Sequence, residues 1–141
     1  MDRNMRMALQ LYTLREECEK DFASTLEKVA VLGFKGVEFA GFFDFEAARL
    51  KECLDRLGLE AAGAHVPYDD VTGKAREVME YNGTIGNRNI VVPWYDLKSP
   101  ADADALAAGL LAVADEYEKN GFRLLYHNHD SEMKSFGGKR L

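Results

Sequence analysis

The densest set of groups able to do chemistry is His127-Asn128-His129, followed closely by Asp130 and Glu132. Two imidazoles and a nearby carboxylate are suitable ligands for a divalent metal. Side chains alternate along a strand, so His127 and His129 are expected on one face and Asn128 on the other. A third ligand has to come from elsewhere in the chain. The plain alternative is a histidine pair bonded to neighbouring backbone or carboxylates.

Other polar groups stand at similar places. His65 closes the small-residue run Ala61-Ala62-Gly63-Ala64, which leaves room for a neighbouring side chain or a ligand, and Pro67 stops the strand just beyond. Glu38 interrupts Val37 and Phe39. A carboxylate is costly to bury without a partner, so it faces a strand-end cavity or pairs with a cation as a strut. Gln10 and Tyr12 occupy the corresponding place on the first strand and could hydrogen-bond a polyol. Trp94 and Tyr95 could form an apolar wall for a sugar, or simply pack.

The elements that position these residues form a repeat. Glycine-led strand segments begin at Gly33, Gly58, Gly86 and Gly121, and a further strand, Met7 to Tyr12, opens the series. Helical spacing marks 21–32, with Asp21 as cap, and 45–57, with Asp44 as cap. It also marks a weaker segment, 71–81, broken by Asn82-Gly83, and 101–119, started by Ser99-Pro100. Val37 to Ala40 and Ile90 to Val92 read as strands covered on both faces, as in a parallel sheet. The expectation is an α/β fold of five strands and four helices. Its strands repeat at the size of a βα unit, with ligand groups at their carboxyl ends.

Composition narrows the function classes. The chain has 141 residues, 47% hydrophobic and 30% charged, with a net charge of −6. That suits one soluble domain with a real core. No Lys/Arg cluster is visible, which disfavours nucleic acid. No apolar run suits a signal peptide or a membrane span. Cys18 and Cys53 form no CxxC pair, which fits a cytoplasmic location, and Cys53 falls on an apolar helix face. The GxGxxG, GxxxxGK[ST] and GxSxG signatures are absent, so nicotinamide, flavin and nucleotide triphosphate readings lack support. The chain turns polar after His129 with no fifth helical pattern, so 1–141 is expected to be a single partial (β/α)8 barrel domain. A flavodoxin-like doubly wound sheet is the alternative.

Five segments carry a resemblance: Leu9 to Arg15, Gly33 to Gly41, Ala64 to Pro67, Ile90 to Trp94, and Tyr126 to Glu132. Together they resemble the sugar phosphate isomerase/epimerase family of xylose-isomerase-like TIM barrels, across nearly the whole chain. The resemblance implies a divalent-metal enzyme (Mn, Mg, Co or Zn) that moves a proton between adjacent carbons of a sugar, sugar phosphate or cyclitol. Glu132 resembles the family's first metal-ligand glutamate, and with His65 it is the expected catalytic group. Gln10, Tyr12, Glu38, Trp94, His127 and His129 are the expected substrate-binding groups. The remaining family ligands lie in later strands, so a partial metal site with weak metal binding, little or no turnover and self-association into a homo-oligomer are expected of this chain. A non-catalytic small-ligand domain and a metal-dependent apurinic endonuclease are the competing functions.

Overall fold

The structure is a computed structural model that describes residues 6–133, 135–136 and 139–140. It divides into two compact units, Met1–His65 with Glu80–Arg88, and Val66–Met79 with Asn89–Leu141.

In the first unit, β1 (Ala8–Gln10) leads through a 3-10 turn (Leu11–Leu14) into α1 (Arg15–Lys20) and α2 (Phe22–Val31). Then come β2 (Gly36–Phe39), α3 (Ala47–Leu57) and β3 (Glu60–His65). β2 is parallel to both β1 and β3, pairing Gln10 with Glu38 and, past an irregularity at Val37/Glu38, Glu38 with Gly63. This order excludes the flavodoxin-like alternative, in which the first strand lies between the second and third. Leu26, Val29, Val37, Phe39 and Leu50 have no exposed surface and make the core. Beside it Phe22 packs edge-on against Phe39 and Phe45, and Phe42 lies tilted against Tyr81 with ring centroids 4.2 Å apart. The Tyr81 hydroxyl donates to the Phe45 carbonyl, and burial pushes its pKa up to about 12.

The second unit holds α4 (Tyr68–Gly73), β4 (Asn89–Val92), α6 (Pro100–Lys119) and β5 (Arg123–Tyr126). α5 (Ala75–Thr84) begins in this unit and ends in the first. β4 and β5 are parallel, from Asn89 opposite Arg123 to Val92 opposite Tyr126. Ser99 caps α6 and Pro100 starts it, as the sequence predicts. Tyr117 on α6 is fully buried and donates to the Val71 carbonyl at 3.0 Å. A 3-10 turn (Asp130–Met133) and a short antiparallel pair, β6 (Ser135–Phe136) and β7 (Lys139–Arg140), follow.

Local details differ from the expectations. The first strand ends at Gln10, because Leu11 to Lys20 is helical. α3 begins at Ala47, and Glu46 caps it by accepting from the Ala48 and Arg49 amides; Asp44 instead has φ 57°. The third helical region is two helices, and α5 runs through Asn82-Gly83. There the buried Asn82 side chain accepts from the Asn87 amide at 2.8 Å, which compensates for two poor helix formers. The last main strand stops at Tyr126, so strand alternation does not govern His127 and His129. Cys53 is buried as expected, and so is Cys18. Among the described residues no helix is long and apolar enough to cross a membrane.

Candidate functional site

Three predicted residues meet at the carboxyl ends of β1, β2 and β3. Gln10 and His65 are the last residues of their strands, and Glu38 is one before the end of its own. The Glu38 carboxylate lies 3.2 Å from Nε2 of His65, with 31% and 12% of the two side chains exposed. That shelter makes the pair a real interaction and not a solvated surface contact. The Gln10 amide oxygen accepts from the Tyr12 backbone N–H, which turns the amide nitrogen to the imidazole, 3.3 Å from Nδ1. With Nε2–H donated to Glu38, Nδ1 is the acceptor left for the amide. Gly63 makes the space: a Cβ there would stand 3.1 Å from Oε2 of Glu38. The room foreseen beside His65 is filled by this side chain. A positioned imidazole with a carboxylate behind it can take up or release a proton.

Glu132, in the second unit, is held differently. Its Oε1 accepts from the Tyr126 hydroxyl and its Oε2 from the His129 backbone N–H, both at 2.7 Å. His129 Nδ1 is 3.9 Å from Oε1. Burial, with the adjoining Glu132 carboxylate, pushes the Tyr126 phenol up to about 12, partly offset by a hydrogen bond from the Tyr95 backbone. Tyr126 therefore stays a donor at neutral pH. His127 and His129 are both exposed, their rings edge to face with centroids 4.8 Å apart. The His127 amide extends the β4–β5 ladder by donating to the Val92 carbonyl at 3.0 Å.

Tyr12 and Trp94 lie outside both clusters. Tyr12 sits in the 3-10 turn, largely exposed, with the Arg15 guanidinium 4.8 Å from its ring centre. Trp94 is exposed beyond β4 and lines a cleft with Tyr68 and Tyr95. Tyr126 ends an apolar strand, and Tyr68 follows the Pro67 that stops another, so neither carries a sequence signal for its place in these clusters.

Among the described residues no group of three or more His, Cys, Asp and Glu side chains could hold a metal ion. Glu132 and His129 offer two donors of suitable chemistry, which is part of a ligand set and not a whole one.

No family model matches the chain, and no curated protein matches it. Solved structures do. A sugar phosphate isomerase/epimerase from Parabacteroides distasonis is 21% identical with a TM-score of 0.74, over 95% of this chain and 56% of that one. An AP endonuclease of family 2 from Brucella melitensis is 21% identical with a TM-score of 0.67, over 86% and 54%. A xylose isomerase domain containing protein from Salmonella typhimurium is 14% identical with a TM-score of 0.68, over 86% and 48%. The chain thus spans about half the length of each of these structures. Likeness at such identity shows the fold alone: a partial (β/α)8 barrel, in agreement with the parallel pairing of β1, β2 and β3 and of β4 and β5.

Proposed function

We propose that this chain forms part of a divalent-metal-dependent isomerase or epimerase that moves a proton between adjacent carbons of a sugar, sugar phosphate or cyclitol. The observation that carries the proposal is the Glu38–His65 pair at the carboxyl ends of parallel strands, steadied by Gln10. Strand ends of that kind are where barrels of this fold keep their chemistry. Likeness to a sugar phosphate isomerase/epimerase and to a xylose isomerase domain containing protein supports the same reading.

In this scheme His65 is the proton-handling group. Glu38 orients its ring, and Gln10 holds the opposite nitrogen. Tyr12, Trp94, His127 and His129 contribute hydroxyl-binding and wall contacts to the substrate. Glu132 is both a catalytic group and a metal ligand, and the Tyr126 and His129 hydrogen bonds fix its carboxylate plane. A bound divalent ion supplies polarisation of the substrate carbonyl. Cytoplasmic location and self-association belong to the proposal too. The two cysteines are buried and free, and Leu111, Leu125 and Met133 are exposed apolar side chains suited to an interface. No membrane or nucleic-acid partner is invoked.

Deuterium wash-in is the test. A form carrying the remaining barrel strands, incubated with ketoses in heavy water, is expected to exchange one carbon-bound proton next to the carbonyl. The exchange is expected only with Mn, Mg, Co or Zn added. No exchange with any of these ions would sink the proposal. A second reading, a metal-dependent apurinic endonuclease, is favoured by likeness to the Brucella AP endonuclease. The net charge of −6 opposes it, because phosphate-backbone binding draws on positive charge.

A further inference from the structure

The second unit contains a cleft of about 490 Å³ between the turn at 67–69 and the segment 93–102. One side of it is aromatic. Trp94 is 57% exposed, and Tyr68 and Tyr95 meet edge to face with centroids 4.8 Å apart. An exposed indole beside two half-buried phenol rings in a concavity suits the C–H face of a sugar ring. The polar lining consists of carboxylates, Asp69, Asp96 and Asp102, with no Lys, Arg or His among the lining residues.

We propose that this cleft binds an unphosphorylated polyhydroxy ligand, a free sugar or cyclitol, and discriminates against phosphate esters. The inference rests on the isomerase reading above and narrows its substrate class. A phosphate ester brings roughly −1.5 to −2 charges to a lining that is already anionic. The one long helix that begins here offers it little. Asp102, in the first turn of α6, accepts from the Ser99 hydroxyl at 2.8 Å and the Lys98 amide at 3.0 Å. These hydrogen bonds hold its carboxyl below the usual range, so its own negative charge already occupies the helix start. Lys98, the adjacent cation, is paired with Asp96. Asp69 makes no hydrogen bond or ion pair among the described residues, and its oxygens are free to accept sugar hydroxyls. The wall also connects to the Glu132 network, because the Tyr95 backbone bonds the Tyr126 phenol that donates to Glu132.

Trp94 is the only tryptophan of the chain, so intrinsic fluorescence reads this cleft directly. The 141-residue chain is titrated with D-fructose, with myo-inositol, and with the terminal phosphate ester of D-fructose. A saturable change is expected with at least one neutral ligand, and the ester is expected to bind about 10-fold more weakly or worse. Asp69→Asn is expected to narrow that gap. Added salt is expected to narrow it in the unmodified chain as well, since it screens the carboxylates. An ester that binds as tightly as the neutral sugars, or an indole that responds to neither neutral ligand, overturns the proposal. Binding of free sugars without proton exchange in the longer form would sink the isomerase reading and leave this one standing. Exchange on phosphate esters alone would do the reverse.

Discussion

Two carboxylates, Glu38 near the end of β2 and Glu132 in the 130–133 turn, have opposite surroundings. Glu38 faces one titratable partner, the His65 imidazole, in a space that Gly63 keeps open. Glu132 has both oxygens engaged, by a phenol and a backbone amide, with the nearest imidazole nitrogen at 3.9 Å. The first arrangement suits proton movement, since the charge of the pair changes with the ring. The second suits a fixed negative point, since its partners stay protonated across the neutral range. Residue type alone does not separate these roles; the donors around each carboxylate do.

The largest expected effect breaks the fixed point. In a metal-loaded form carrying the remaining strands, Glu132→Gln should lower turnover by more than about 100-fold. Even loss of a residue that only orients a ligand typically costs about 10–100-fold. The same change should weaken metal uptake by the 141-residue chain, read by elemental analysis after dialysis. Unchanged uptake would remove Glu132 from the ligand set.

His65→Asn attacks the proton-handling side and should cost about 100-fold or more in kcat, with a smaller change in KM. Glu38→Gln should cost less and should alter the pH–rate profile. If both variants shift only KM, the pair binds substrate and moves no proton.

Gly63→Ala tests the space between them. The new methyl crowds Glu38 at 3.1 Å, and about 1–2 kcal/mol of stability should be lost, measurable by urea unfolding. A neutral result would show that Glu38 moves aside freely.

The smallest effect concerns the phenols. Tyr81, Tyr117 and Tyr126 are each raised from 10.0 to about 12. The folded chain therefore keeps protons that the unfolded chain loses, so the stability they contribute is complete below pH 10 and falls as pH rises towards 12. Tyr126→Phe should remove about 1 kcal/mol at neutral pH and flatten part of that alkaline loss. Tyrosinate absorbance during an alkaline titration checks it.

Much of this arrangement was legible in the residues. The caps Asp21 and Ser99, the parallel strands and the convergence of Gln10, Glu38 and His65 follow from local spacing and strand-end position. The rest depended on contacts that spacing does not carry. Leu11-Tyr12 continues an apolar run, yet the chain turns helical there because the Gln10 side chain receives the Tyr12 amide. Asn82-Gly83 reads as a stop until Asn87 is seen to satisfy Asn82 in the interior. The grip on Glu132 by Tyr126 appears only once the chain folds back through the 130–133 turn.

Gly109 has a practical consequence for anyone who wishes to make this protein sturdier. It lies in the middle of α6, where replacing glycine by alanine ordinarily gains about 1 kcal/mol. Here the added methyl would land 1.7 Å from the Tyr68 hydroxyl and 2.8 Å from its ring. The tyrosine would have to leave its seat, taking one wall of the aromatic cleft with it. A routine thermostabilising swap at this position would therefore trade ligand affinity for helix strength, and libraries built for robustness should leave Gly109 unchanged.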